Sequence, residues 1–172
     1  MSKVILSVLV SFVLTNSVAV FAGSALVTWQ SPEDFTDAKT EYIDPNNEQL
    51  NLLFSRIEKH ISRLAEMHLS EGSELQLTVK DYDMAGVLVS NTGMSGNSFE
   101  RRVLPNEFPA MVIDFQWVDS EGRVLESGED IRLEGRAIRT EGISRFPRVT
   151  RRDAYLTPEF NMLNRWFAEQ FM

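Results

Sequence analysis

Cysteine is absent from the 172 residues, and histidine occurs only at His60 and His68. The first absence excludes disulfides, thiol catalysis, cysteine-ligated zinc and a lipid-modified N-terminal cysteine. The second leaves few members for a nucleophile–base pair. The two histidines stand two helical turns apart, whereas a zinc ion takes helical ligands at i and i+4, so both are expected at the surface or rim. HExxH, GxSxG, Walker-type and GxGxxG patterns are missing as well. Cations are the scarcer sign, with 17 Lys and Arg against 25 Asp and Glu and a formal charge of −8, which argues against a nucleic-acid partner. None of these patterns implies a cofactor.

Long apolar runs are equally scarce; one occurs, at the start. Met1-Ser2-Lys3 supplies a positive charge, Val4 to Leu14 is an eleven-residue apolar run broken only by Ser7 and Ser11, and Val20-Phe21-Ala22 offers small residues at the positions a signal peptidase reads. This layout predicts a cleaved secretory leader over 1–22, with Ala25 as an alternative cut point, and a periplasmic address. An uncleaved anchor is the rival, since Val4 to Ala22 approaches the roughly 20 residues that span a bilayer. Thr15-Asn16-Ser17 interrupts the run, however, and no basic stop-transfer cluster follows. Cleavage removes Lys3 and no acid, taking the formal charge from −8 to −9. The remainder, 23–172, fits one domain, and a chain of that length buries enough surface for a core without covalent staples.

Within that domain Ala25 to Trp29 reads as a short strand. Ser31-Pro32-Glu33-Asp34 reads as a helix start, with Ser31 as N-cap, proline at the first helical position and acids facing the positive end of the backbone dipole. Thr157-Pro158-Glu159 repeats the device. After Asp44-Pro45, residues Leu50, Leu53, Phe54, Ile57, Ile61, Leu64 and Met67 recur at steps of three and four, one apolar stripe on a long helix that Ser70 to Ser73 ends. Leu75, Leu77 and Val79 alternate with Gln76, Thr78 and Lys80, which predicts a strand with one buried face, and Met111, Ile113, Phe115 and Trp117 alternate with Val112, Asp114, Gln116 and Val118, which predicts a second strand. Val87 to Val89 reads as a short strand before a loop over Asn91–Ser98, because Gly93, Gly96 and two asparagines break the pattern. Asp119 to Gly122 turns the chain into a hairpin whose return strand, from Arg123 to about Gly135, carries a bulge at Ser127-Gly128. Leu156, Phe160, Leu163, Phe167 and Phe171 share one face of a closing helix, flanked by Trp166. The order predicts an α+β fold: a mixed, mostly antiparallel sheet of about four strands with two amphipathic helices on one face. Trp29, Trp117 and Trp166 are expected in the core.

Two groups of residues carry candidate chemistry. If the alternation of β-residues continues past Val79, Asp81 and Asp83 project toward the buried side at a strand end, where open sheets hold ligands, and Mg²⁺ or Ca²⁺ would accept their oxygens with Asp114 or Asp119 nearby. That reading would make the protein a divalent-metal-assisted hydrolase. If instead the strand ends by Val79 or Lys80, the two aspartates cap a turn or pair with arginine, and two carboxylates fall short of the roughly six oxygens these ions take. The second group is a run of seven arginines between Arg132 and Arg152 against Glu134 and Glu141, a local balance of +7 − 2 = +5. Arg145, Arg148, Arg151 and Arg152 form its densest part. Guanidinium forks bind carboxylates and phosphates bidentately, which suits an envelope protein or an anionic envelope component. The alternative is internal neutralisation by Glu33, Asp34, Asp37, Glu41 and Asp44.

VTWQSPEDFTD (Val27 to Asp37), LTVKDYDMAG (Leu77 to Gly86), VIDFQWVDSEGRVLESGED (Val112 to Asp130) and the closing helix, in that order, resemble the proteobacterial DUF3016-like family. The likeness runs from about Val27 to Phe171. It implies a secreted or periplasmic protein of Gram-negative bacteria and carries over no catalytic residue. The arginine-rich stretch is the part least typical of that pattern. The reading favoured by the residues is a small exported, non-catalytic binding or accessory protein of the cell envelope.

Overall fold

The computed structural model describes residues 22–37, 48–93, 96–102, 107–136 and 151–172. Residues 1–21 of the leader expected over 1–22, the acids Glu41 and Asp44, and the arginines Arg139, Arg145 and Arg148 lie outside the described residues. In chain order the elements are β1 (Ser24–Trp29), α1 (Glu48–His68), β2 (Glu74–Asp83), β3 (Val87–Gly93), β4 (Gly96–Arg102), β5 (Ala110–Val118), β6 (Val124–Glu134) and α2 (Thr157–Phe171). Single 3-10 turns occupy Pro32–Asp34 and Arg151–Leu156. The main sheet has the order β1-β2-β5-β6, with β1 parallel to β2 and the other pairs antiparallel. This is the expected α+β arrangement of four strands and two helices.

Period decides which side of each element is buried. On α1 the stripe Leu50, Leu53, Phe54, Ile57, Ile61 and Leu64 is buried, and on the sheet Leu75, Leu77, Val79, Met111, Ile113 and Phe115 meet it. From α2, Phe160, Met162, Leu163, Trp166 and Phe167 complete one continuous core. Met67, expected in the stripe, is 52% exposed. The helix turns instead through Ala65 to Leu69, where the backbone of Gly23 lies against it. The three tryptophans pack as expected: Trp29 stacks on Phe54 at 3.9 Å and donates to Glu58 at 2.7 Å, Trp117 meets Phe171 edge-on at 5.5 Å, and Trp166 is buried.

Several local expectations are corrected. Ser31 has a left-handed backbone (φ 49) and makes no side-chain cap; the turn after it is held by Asp34 N–H donating to the Ser31 carbonyl at 2.9 Å. Thr157 points backward, its hydroxyl donating to the Ala154 carbonyl at 2.6 Å, so α2 starts on proline geometry without a side-chain cap. The stretch read as a loop after Val89 forms a hairpin instead: β3 and β4 pair antiparallel from Val87↔Arg102 to Gly93↔Gly96 as a separate two-stranded sheet. Asn91 and Asn97 sit within the paired strands, and Gly93 and Gly96 form the last pair of the ladder.

Two bulges sit side by side in the main sheet. In β2 the pairing steps from Val79↔Ile113 to Asp81↔Val112, leaving Lys80 as the extra residue. In β6 it steps from Ile131↔Ile113 to Gly128↔Phe115, so the extra residue falls at Glu129-Asp130, just beyond the expected Ser127-Gly128, with Asp130 left-handed (φ 53). Gly128 has a different duty. A Cβ there would lie 2.7 Å from the Phe115 ring and 3.1 Å from Ile131. Gly128→Ala is therefore expected to cost about 1–3 kcal/mol by overpacking. Urea unfolding checks this, and an unchanged midpoint would refute the close approach.

Candidate functional site

The bulges reset the alternation, and this decides where the charged residues go. Past Lys80 the core-facing position passes to Tyr82, which is 2% exposed and pairs with Met111. Asp81 and Asp83 therefore turn to the open side of the sheet and are only partly buried, contrary to the expectation that they project inward. The strand does not end before them, yet Asp81 does cap a turn: its carboxylate accepts from the Thr36 N–H at 2.7 Å and the Thr36 hydroxyl at 2.8 Å. Beside it, the Asp37 carboxylate accepts from the Met84 N–H. The acidic lead-in thus fastens the first turn onto the end of β2, while Glu33 and Asp34 face solvent.

Asp114, at the centre of β5, ties the two bulges together. Its carboxylate accepts from the Asp130 N–H at 2.8 Å, and Lys80 Nζ lies 3.3 Å from Asp114 and 2.5 Å from Asp130. The Asp130 N–H, with Lys80 second, holds Asp114 below the usual carboxylate range, and Asp130 raises Lys80. Lys80 and Asp114 are partly exposed and Asp130 is exposed, so solvent screens these pairs and the cluster shapes the surface more than it stabilises the fold. Partial burial pushes Asp83 up, the neighbouring Asp81 carboxylate adds to the effect, and Arg132 opposes it. Arg132 itself pairs with Glu134 at 2.8 Å. Asp119 lies apart, in the β5–β6 turn, where it accepts from the N–H groups of Glu121 and Arg123.

The open face is thus a polar band running through Lys80, Asp81, Asp83, Asp114, Asp130 and Arg132. Among the described residues no group of three or more ligating side chains converges as a metal site would require. A recess with a cavity volume of about 10 Å³ lies beneath the first turn, lined by Pro32, Phe35, Asp37, Leu50, Phe54, Tyr82 and Met84. It is mostly apolar and far too small for the roughly 300–1,000 Å³ typical of small-molecule sites. Arg151 and Arg152 begin the 3-10 turn before α2.

The buried polar residues are ones that spacing arguments passed over. His60, expected at the surface, is 3% exposed. It stacks on Phe160 with ring centroids 4.0 Å apart, and its Nε2–H donates to the Asn164 amide oxygen at 2.8 Å. Burial lowers its pKa from 6.5 to about 4. The signal was present, because position 60 falls three residues after Ile57 and four before Leu64, on the apolar stripe. Glu159, in the first turn of α2, has no exposed surface and accepts from the Tyr82 hydroxyl at 3.2 Å. No described helix is long and apolar enough to cross a membrane.

Sheet, helices and polar open face define a two-layer α+β domain without a deep cleft among the described residues. The chain belongs to the family described as protein of unknown function (DUF3016), which it matches over residues 23–169. No curated protein and no solved structure matches it.

Proposed function

We propose that the protein is an exported, non-catalytic binding protein of the cell envelope. It acts in the periplasm after its leader is removed. It holds an envelope protein or an anionic envelope component through the open face of the sheet and the arginines that follow β6. The observation that carries this reading is the sidedness of the main sheet. Both helices seal one face around the core, and the other face presents charged groups on bulged strands that no described helix covers. Bulges re-aim side chains and interrupt pairing, which suits a surface meant to be touched rather than buried. Arg132 stands on that face, and the series through Arg145, Arg148, Arg151 and Arg152 begins there. The cysteine-free composition and the apolar leader agree with export of a domain that folds without staples.

The test is crosslinking in intact cells, followed by identification of what the protein holds. Capture is expected to weaken as salt rises, since exposed charges more than about a Debye length apart are screened. Reversing charge at Arg148, Arg151 and Arg152 together is expected to abolish it. Undiminished, salt-insensitive capture by that triple variant would remove the arginines from the contact. A melting temperature that rises with Mg²⁺ or Ca²⁺ and no longer does so in Asp81→Asn would instead favour a metal-assisted hydrolase at Asp81 and Asp83.

A further inference from the structure

We propose that the Ala22–Gly23 bond is the processing junction of this chain, and that the amine released there becomes part of the fold, seated against the carboxyl end of α1. This rests on the export reading and adds to it a position and a structural consequence.

Three observations meet at this bond. Ala22 is exposed and Gly23 is buried, so the boundary between solvent and packed domain falls between them. Gly23 cannot carry a side chain: a Cβ would lie 2.5 Å from Leu69 Cβ and 2.8 Å from the Ala65 carbonyl oxygen. The backbone therefore rests directly on the last turn of α1, and the next residue is fixed by the Ser24 N–H donating to the Ser73 carbonyl at 3.0 Å. The family match also begins at residue 23. The alternative cut after Ala25 would delete Ser24 and Ala25 from β1 and leave their partners Glu74 and Leu75 unpaired at the sheet edge.

Hydrolysis breaks the Ala22 carbonyl–Gly23 nitrogen bond. Water supplies the hydroxyl to the Ala22 carboxyl and a proton to the amine, which takes another from solvent and becomes an ammonium. An amide nitrogen at Gly23 is neutral, whereas an ammonium there faces the helix end that carries partial negative charge on its last carbonyls. The titratable groups on the elements around it are Arg63, Glu66 and His68 on α1, Glu71 in the following turn and Glu74 at the start of β2. Three of the five are carboxylates, of which Glu66 and Glu71 are exposed to solvent. Gly23 is buried once docked, which requires cleavage before β1 settles against the helix.

The first measurement is the intact mass of full-length chain expressed with its leader in a Gram-negative host and recovered from the periplasm. A single species starting at Gly23 is expected. A start at Leu26 or later overturns the junction while leaving export standing; retained Met1 overturns both. The second measurement is independent of export and compares melting temperatures of protein starting at Gly23 and at Ala22. If the attraction of the helix end outweighs the burial of Gly23, the amine holds its proton to a pH above the ordinary value of about 7.7–8.0, and its contribution is present at lower pH and lost as pH rises past that point. The Gly23 form is expected to melt a few degrees higher near neutrality, with the difference gone above about pH 9. Equal melting at every pH would overturn the docked amine, and Gly23→Ala melting like the parent would overturn the close packing beneath it.

Discussion

Phe167→Ala is expected to lower the unfolding free energy by about 3–5 kcal/mol, the usual cost of deleting a fully buried ring. Phe167 has no exposed surface. Its ring meets Trp166 at 5.2 Å edge-on and Phe171 at 5.0 Å, and these rings extend to Phe115 and Trp117 on β5. Truncation leaves a cavity between α2 and the sheet, which the surrounding rings can refill only in part. Against a total stability of about 5–15 kcal/mol this is a large fraction, equivalent to roughly 2–4 °C of melting temperature per kcal/mol in a domain of this size. Leu52→Ala is the control. Leu52 lies on the outer side of α1 and is 51% exposed, so its loss is expected within about 0.5 kcal/mol of zero. If the two variants unfold alike, α2 does not clamp the sheet, and the sidedness on which the binding proposal stands is lost with it.

The second large effect is on acid stability. His60 is held neutral by burial, with Arg63 further opposing its protonation and Asn164 and Asp153 favouring it. Its folded pKa of about 4 lies below the unfolded value of 6.5, so between these limits the unfolded chain binds the proton first. Stability from this residue is therefore full above about pH 6.5 and is lost as pH falls toward 4, by on the order of 3 kcal/mol. His60→Gln retains an amide that can meet Asn164 and cannot be protonated in this range. Urea unfolding between pH 4 and 7 is expected to show a shallower slope for that variant than for the parent. Parallel slopes would mean that His60 titrates freely and is not enclosed by the two helices.

Element types were largely legible because burial imposes its period on sequence. The α1 stripe, the alternation in β2 and β5, and the ring positions of α2 each follow from one face meeting the core, and each element appears where the pattern puts it. What escaped notice was parity. A period of two carries no memory of an inserted residue, so one bulge at Lys80 moved Asp81 and Asp83 from the inner to the outer face and brought Tyr82 inside. The same kind of slip at Asp130 brought its N–H to Asp114. His60 was misplaced for a related reason: a polar residue was assigned to the surface, and only a partner from another element, Asn164, makes its burial tolerable.

Apolar period, composition and ordered motifs are local properties of the chain, and they alone specify the layers of the fold, its cysteine-free, acidic character and its family membership. The tertiary structure alone decided which carboxylates face water, which histidine is sealed, and why position 23 admits no side chain. Those outcomes depend on register between strands and on contacts between residues far apart in the chain, and neither quantity is written in any single segment.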